Sequence, residues 1–354
     1  MECVKVGRER RCIKDFLSLP KKLYSADKNM ESADTVRKIL LGRHPLSGYF
    51  SLEAYVIYDR REPVGRFAIT EYPEDDTAYI GFFECVEKIE VAAFLFRKAE
   101  EICRKKEYSR MIGPVDASFW IKYRLKINHF DLPPYTGEPY NREYYYDYFL
   151  ENGFHVKEHY TSNGYRAIDE SYVNPKYERR YRTFSEKGYR IESPTAESYG
   201  KAMEEVYSLL TSLYSGFPIY KPIAREDFRA MFRSYQSIMN LSMTKMAYLG
   251  DRTVGFLISL PDYGNLVYHL NPVNLLKVIR LRKNPGRYVM LYMGVDHAHK
   301  GLGTAMVHDI MRELKESHLP SIGALARDGK VTQSYASDVI TDVYEYVLLE
   351  RILK

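Results

Sequence analysis

The sequence lacks an apolar run long enough to cross a membrane, and its first residues, charged from Glu2 onward, contain no signal-peptide core. Cysteine is scarce, with four residues in the chain, and no two of them have the close spacing of a metal site. A few scattered cysteines are typical of a reducing compartment. We therefore expect a cytoplasmic protein that has no membrane partner and no metal site.

A strong excess of charge of one sign is also missing. The 52 Lys and Arg residues against 47 Asp and Glu residues leave a net charge of +5. This charge favours anionic ligands but is too small for a nucleic-acid footprint, so no nucleic-acid partner is expected. A chain of 354 residues is long for one domain, and two domains are expected. The 33 tyrosines outnumber the 16 phenylalanines, which predicts many half-buried aromatic positions.

A glycine-rich loop between a strand pattern and a helix pattern is the most informative stretch. Residues 289–295 form an apolar, strand-like run, residues 296–304 form the loop, and apolar side chains then recur at helical spacing. The first turn of a helix offers free backbone N–H groups and a positive dipole end. Gly301 and Gly303 allow an anion to approach closely and Lys300 adds a charge, so the loop fits a diphosphate. A tight turn without a ligand is the alternative.

Two common phosphate motifs are incomplete in this loop. The Gly-Lys-Ser/Thr ending of a Walker loop is missing, and so is the third glycine of a dinucleotide fingerprint. The stretch instead resembles the acetyl-coenzyme A loop of the GNAT acyltransferase superfamily, whose pattern is Gln/Arg-x-x-Gly-x-Gly/Ala. Gly301 and Gly303 match this pattern, and Ala298 stands where Gln or Arg is usual. The resemblance implies acetyl-CoA (coenzyme A) as co-substrate, held by Val295, Lys300, Gly301, Leu302, Gly303 and Thr304.

The order of predicted elements repeats once along the chain. A hairpin followed by a strand and a helix occurs in the first half and again in the second half. In each half this order resembles the GNAT fold. It implies an α/β (α+β) protein of two tandem GNAT-like domains, each a mixed, mostly antiparallel sheet flanked by helices. The predicted bounds are 1–167 and 188–354, joined by a linker at 168–187 in which charged residues and tyrosines crowd without periodicity.

Short motifs in the first half carry a more particular resemblance. They are similar to landmarks of uncharacterised bacterial tandem GNAT proteins, and they imply family membership without indicating a substrate. These motifs are Leu19-Pro20-Lys21-Lys22-Leu23-Tyr24, His44-Pro45-Leu46, Val64-Gly65-Arg66, Gly81-Phe82-Phe83-Glu84-Cys85, Gly113-Pro114-Val115-Asp116-Ala117-Ser118 and Pro139-Tyr140-Asn141-Arg142-Glu143-Tyr144-Tyr145.

The two halves differ at the positions that would bind coenzyme. The first half has no glycine in its corresponding loop, and Glu87 and Glu90 there would repel a diphosphate. The resemblance also implies a tyrosine in the last helix as general acid on the leaving thiolate. Counting from that pattern gives Phe149 in the first half and Tyr335 in the second. We therefore expect a degenerate N-terminal copy and a coenzyme-binding C-terminal copy.

Tyr335 is the predicted catalytic acid, because a phenol with a pKa near 10 can protonate a thiolate of similar basicity. A half-buried packing residue is the alternative. Asp296 is a candidate general base, and His297 and His299 lie beside it without a signal that prefers one of the three. Two histidines alone make a poor metal site.

The implied function is transfer of an acetyl group from acetyl-CoA to a primary amine of a small molecule or peptide by direct attack. The alternative is a GNAT-fold protein without coenzyme, either a binding protein or a Fem-type aminoacyl transferase. An insertion in the second half carries the basic segment 277–283. That segment is more often a solvated helix face than a ligand site, although it could approach an anionic substrate.

Overall fold

A computed structural model of the chain describes residues 1–73 and 75–354. These residues form two compact units that are interleaved in sequence. Unit 1 comprises Met1–Pro134, Glu138–Tyr160 and Glu345–Lys354, and unit 2 comprises Tyr135–Gly137 and Thr161–Tyr344. These bounds differ from the predicted copies in two respects. The C-terminal segment belongs to the first unit, and the predicted linker at 168–187 lies inside the second.

The described residues up to 165 form nine strands and four α-helices. They are β1 (Glu2–Lys5), α1 (Arg10–Leu23), α2 (Ala33–Leu40), β2 (Ser51–Asp59), β3 (Glu62–Glu71), β4 (Thr77–Cys85), α3 (Ile89–Lys105), β5 (Arg110–Gly113), β6 (Val115–Asp116), β7 (Lys122–Tyr123), β8 (Leu125–Lys126), α4 (Tyr145–Glu151) and β9 (His155–Tyr165).

The remaining elements follow in the same numbering. They are α5 (Pro175–Glu186), β10 (Tyr189–Glu192), α6 (Tyr199–Tyr214), α7 (Arg225–Arg233), β11 (Lys245–Leu249), β12 (Arg252–Pro261), α8 (Pro272–Lys283), β13 (Tyr288–Val295), α9 (Leu302–Ser317), β14 (Ser321–Arg327) and β15 (Ile340–Ile352). Strands β9 and β15 each contribute residues to both units.

The sheet of unit 1 runs β1-β2-β3-β4-β5-β15. All of these neighbours are antiparallel except β4 and β5, which run parallel. The strand that completes the unit comes from the C-terminus of the chain, because β15 pairs with β5 from Leu349 to Ile352. Every residue of β4 is buried, so the sheet is covered on both faces.

The sheet of unit 2 repeats this arrangement in the order β14-β13-β12-β11-β10. The pairs are again antiparallel except for one parallel pair, β13 and β14. Helix α9 packs on β11, β12 and β13, and α5 packs along α9. The core of unit 2 contains the apolar residues of α9, including Leu302, Met306 and Ile310, as their helical spacing predicts.

Local sequence explains several element boundaries. The hydroxyl of Ser32 accepts a hydrogen bond from the N–H of Thr35 at 3.3 Å and caps α2. The mixed, mostly antiparallel sheets with flanking helices confirm the predicted fold class. Among the helices of the described residues, none combines the length and the apolar character that crossing a bilayer requires.

Candidate functional site

The parallel strands β13 and β14 separate part of the way along their length. They pair at three positions, from Tyr288 with Ser321 to Met290 with Gly323. Among the described residues the pairing stops there, although β13 continues to Val295 and β14 to Arg327. Where two strands part, their backbone N–H and C=O groups become available to a third partner. The separated residues are mostly half-buried, and one of them, Met293, has its methyl carbon 3.1 Å from the position of a Cβ atom on Gly303 at the start of α9. We call the space between the separated strands the gap of unit 2.

The loop that leads into α9 has a fixed backbone. Gly301 is the N-cap of the helix and has a left-handed φ of 93°, which glycine adopts without strain. The N–H of Leu302 donates to the carbonyl of His299 at 3.1 Å, and the N–H of Thr304 donates to the carbonyl of Gly301 at 3.2 Å. The Leu302 side chain is fully buried in the core. Of the six predicted coenzyme residues, Lys300 alone therefore presents an exposed, charged side chain.

The predicted acid and the predicted coenzyme loop lie together. Tyr335 follows a short 3-10 helix at Val331–Ser334, and its hydroxyl lies where a Cβ atom on Gly303 would be. The same hydroxyl is hydrogen-bonded to the side chain of Thr304. Burial raises the pKa of Tyr335 to about 12. The phenol is therefore protonated at neutral pH and stands at the first turn of α9.

Asp296 is held by contacts within the loop that precedes α9 and with a neighbouring arginine. It accepts a hydrogen bond from the N–H of Ala298 at 3.0 Å and forms an ion pair with Arg252 at 2.5 Å. The hydrogen bond from Ala298 and the nearby positive charges lower the pKa of Asp296. A carboxylate with a lowered pKa is a weak base, so these contacts work against the predicted general-base role. His299, also in the loop, has its Nδ1 atom 2.7 Å from the hydroxyl of Tyr189.

Helix α5, inside the predicted linker, forms one wall of this site. The hydroxyl of Tyr177 accepts a hydrogen bond at 2.8 Å from the N–H of Ala336, the residue that follows Tyr335. One turn later, the guanidinium carbon of Arg180 lies 3.4 Å from the position of a Cβ atom on Gly301. The sequence signals were the helix-starting Asn-Pro pair at 174–175 and the aromatic residues at 177, 181 and 184, whose i, i+4, i+7 spacing marks a helix face.

The start of α9 is electrostatically suited to an anion. Arg180 and Lys300 are exposed, and no carboxylate of the described residues lies within ion-pair distance of either. The positive end of the helix dipole adds to these two charges. Gly301 is half-buried and lies next to Arg180, whereas Gly303 is buried under the hydroxyl of Tyr335. These residues fit a diphosphate, although the position of Ala298 supplies no side-chain donor.

The corresponding gap in unit 1 is filled by the chain itself. Strands β4 and β5 pair in parallel from Thr77 to Tyr79, and beyond that point a Cβ atom on Gly81 would overlap the carbonyl of Val115. The N–H of Phe82 donates to a carboxylate oxygen of Asp116 at 2.5 Å. Phe149, at the position of the predicted acid in unit 2, is fully buried in the aromatic core.

A buried polar cluster that the sequence did not indicate lies beside this filled gap. The carboxylate of Glu84 accepts hydrogen bonds from the hydroxyls of Tyr24 at 2.9 Å and Tyr145 at 2.7 Å. Arg66 is fully buried, pairs with Glu31, and lies 3.7 Å from the other oxygen of Glu84. Burial raises the pKa of Glu84 to about 7 against the opposing effect of Arg66. The cluster therefore places ionisable side chains in the interior of unit 1, away from water.

Comparisons with known proteins agree with this architecture. No protein-family model matches the chain. Protein YghO of Escherichia coli strain K12 is 20% identical over 267 residues, which is 73% of this chain and 68% of that protein.

Solved structures cover the whole chain. A tandem GNAT protein from the clavulanic acid biosynthesis pathway is 12% identical with a TM-score of 0.55, covering 100% of this chain and 98% of its own. A GCN5-related N-acetyltransferase from Anabaena variabilis is 8% identical with a TM-score of 0.53, covering 100% of this chain and 73% of its own. The chain therefore has the tandem GNAT fold, which confirms the predicted resemblance at the level of architecture.

Proposed function

From the tandem GNAT fold and the gap in unit 2, we propose that the chain is an N-acyltransferase that moves an acetyl group from acetyl-CoA to a primary amine. One observation carries this proposal. In unit 2 the parallel strands β13 and β14 separate beside a helix start that has exposed cations, whereas in unit 1 the matching gap is filled. We therefore assign the donor site to unit 2, because the described residues of unit 1 fill the matching gap.

Several residues around the start of α9 would bind the acyl donor, each through a different group. Lys300 and Arg180 provide two positive charges for the diphosphate, and the half-buried Gly301 places the N-cap of the helix beside Arg180. Leu302 contributes through its backbone alone, because its side chain is buried in the core. Val295, at the end of β13, lies where the gap meets the loop.

When bound, acetyl-CoA supplies the activated acyl group. A backbone N–H on the separated part of β13 would donate to the oxyanion that develops during attack. The amine nitrogen forms the new bond to the acyl carbon as the carbon–sulfur bond breaks, and Tyr335 gives its proton to the departing sulfur. The phenolate then recovers a proton from the substituted ammonium or from solvent. Asp296 is left out of this scheme, because its ion pair with Arg252 and its lowered pKa fit loop closure.

Product analysis tests the proposal. The protein is incubated with acetyl-CoA and a panel of primary amines, and free coenzyme A and acetylated amine are quantified together by mass spectrometry. Matched formation of both products supports acetyl transfer. Failure to bind coenzyme A at all would favour the alternative of a GNAT-fold protein without coenzyme, for which the Ala298 position is the sequence argument.

A further inference from the structure

Helix α8 and the residue that precedes its cap present an apolar surface to solvent. Of the thirteen exposed large apolar side chains among the described residues, five lie within ten consecutive positions of this region. They are Leu270 (63% exposed), Val273 (61%), Leu275 (50%), Leu276 (69%) and Ile279 (47%). Single exposed apolar residues are ordinary on soluble proteins, but a contiguous cluster marks an interaction surface.

The exposed cluster belongs to a well-formed helix. The side chain of Asn271 accepts a hydrogen bond from the N–H of Asn274 at 3.0 Å, and Pro272 occupies the first helical position. Val278 is the helix residue that is buried, and Leu281 is half-buried on the same side. With 3.6 residues per turn, Leu276 and Ile279 point away from that side. The helix therefore has two apolar faces, and unit 2 covers one of them.

The charge of this helix is entirely of one sign. It carries Lys277, Arg280, Arg282 and Lys283 and no acidic residue, in a chain whose basic and acidic residues are nearly balanced at 52 and 47. Arg282 donates to the carbonyl of Met239 at 3.2 Å. The other three are exposed, and no carboxylate of the described residues pairs with them. The same surface is thus apolar and cationic.

We propose that α8 together with Leu270 docks the protein on an anionic membrane surface, with the helix lying in the plane of the interface. The sequence led to the expectation of no membrane partner, and the exposure of these side chains in the folded chain is what changes it. At twelve residues the helix is too short to span a bilayer. The exposed apolar side chains alternate around the helix with lysines and arginines, so the same surface can meet the acyl boundary and anionic headgroups together.

Two other occupants fit the surface less well. A nucleic acid would pair with the cations but would leave the exposed leucine and isoleucine side chains in water. A second copy of the chain, packed through α8 against α8, would bring two sets of four cations together. A lipid surface satisfies the apolar and the cationic groups at once. This inference does not depend on the proposed acyl transfer.

Vesicle sedimentation of the full chain tests the docking. Vesicles of phosphatidylcholine alone are compared with vesicles that also contain phosphatidylglycerol. We expect partitioning at least about tenfold stronger onto the anionic vesicles, weakening as salt is added. Leu276→Glu and, separately, Lys277→Glu with Arg280→Glu should each lower partitioning about tenfold or more. Val173→Glu is the matched control, because Val173 is 63% exposed outside α8, and it should bind as the wild type does.

Three results would overturn the proposal. The wild type could fail to partition onto anionic vesicles, or Leu276→Glu could bind as well as Val173→Glu. Sedimentation velocity could instead show a dimer that Leu276→Glu dissociates, which would assign the surface to a second copy. Equal thermal unfolding of the three variants and the wild type excludes misfolding as the cause of any loss, since all four substituted positions are exposed.

Discussion

The hydroxyl of Tyr335 rests on Gly303, so closely that a Cβ atom at position 303 would overlap it. The two residues are far apart in sequence, and the fold brings the predicted acid onto the first turn of the predicted coenzyme helix. Gly303 therefore makes room for the phenol hydroxyl, which covers the glycine and is hydrogen-bonded to the side chain of Thr304.

Replacing Gly303 by alanine should reveal this contact as an energetic coupling. The added methyl group meets the phenol oxygen, and overpacking of this kind costs about 1–3 kcal/mol of unfolding free energy. In a Tyr335→Phe background the cost should fall, because the ring carbon Cζ lies 3.4 Å from the methyl position. Urea unfolding of the two single variants and the double variant gives the coupling energy. Equal costs of Gly303→Ala in both backgrounds would contradict the contact.

Tyr335→Phe should separate binding from chemistry. The variant keeps the shape of the ring, so its affinity for coenzyme A should match that of the wild type. Once an acceptor amine is known, turnover should fall by about 100-fold, the usual scale of general acid catalysis. Because burial raises the pKa of Tyr335 to about 12, the wild-type hydroxyl stays protonated across pH 6 to 9, and the loss should be uniform over this range. Wild-type turnover in the variant would remove Tyr335 from the mechanism.

Arg180→Gln should weaken coenzyme A binding about tenfold. This corresponds to a loss of about 1.4 kcal/mol of binding free energy, as expected for one charge-assisted contact. The reason is the position of its guanidinium against Gly301. Arg179→Gln is the matched control, because that residue is the neighbouring exposed arginine of α5, whereas the three atoms nearest to the Cβ position of Gly301 all belong to Arg180. Titration calorimetry with coenzyme A and with pantetheine measures both effects. An Arg180→Gln loss that is equally large for phosphate-free pantetheine would contradict a phosphate contact.

Glu84, which is buried in unit 1, should make the free energy of unfolding of the chain depend on pH. Burial raises the pKa of Glu84 from 4.5 in the unfolded reference to about 7, so between these values the folded state holds a proton that the unfolded state has released. Stability from this group is therefore largest below pH 4.5 and falls as the pH rises toward 7, by roughly 3 kcal/mol at most. Glu84→Gln should flatten this part of the profile.

The control for that experiment is Glu87→Gln, which changes an exposed carboxylate of the same unit. Urea unfolding at intervals between pH 4.5 and 8 compares the three proteins. If the wild type and Glu84→Gln show parallel profiles, the buried carboxyl does not titrate in this window.

Local patterns predicted the elements well and their long-range arrangement less well. The hairpins, the strand–loop–helix at Gly301 and the cap at Ser32 follow from period, glycine and capping chemistry, which act over a few residues. The assignment of the last strand to unit 1 does not follow from local patterns, because the pairing of β15 with β5 joins positions far apart in the chain. The helical character of the predicted linker was missed because its aromatic spacing was hidden among charged residues.

The candidate site shows the same division. The positions of Gly301, Gly303 and Tyr335 came from motif spacing, whereas Arg180 and Tyr177 entered through helix packing that no local pattern reports. In the sequence, the leucines of α8 fit an ordinary helix, and no local pattern indicates that they are exposed. Only the folded chain shows that one apolar face of that helix is left uncovered.

Titration calorimetry of the wild type with coenzyme A tests the central claim, that unit 2 alone forms an acyl-donor site. The expected result is one bound coenzyme per chain, lost in Gly303→Glu, which places bulk and negative charge at the start of α9, and kept in Glu90→Gln, which alters the matching helix start of unit 1. Thermal unfolding confirms that both variants fold. Absence of binding in the wild type, two bound coenzymes, or unchanged binding in Gly303→Glu would contradict the account.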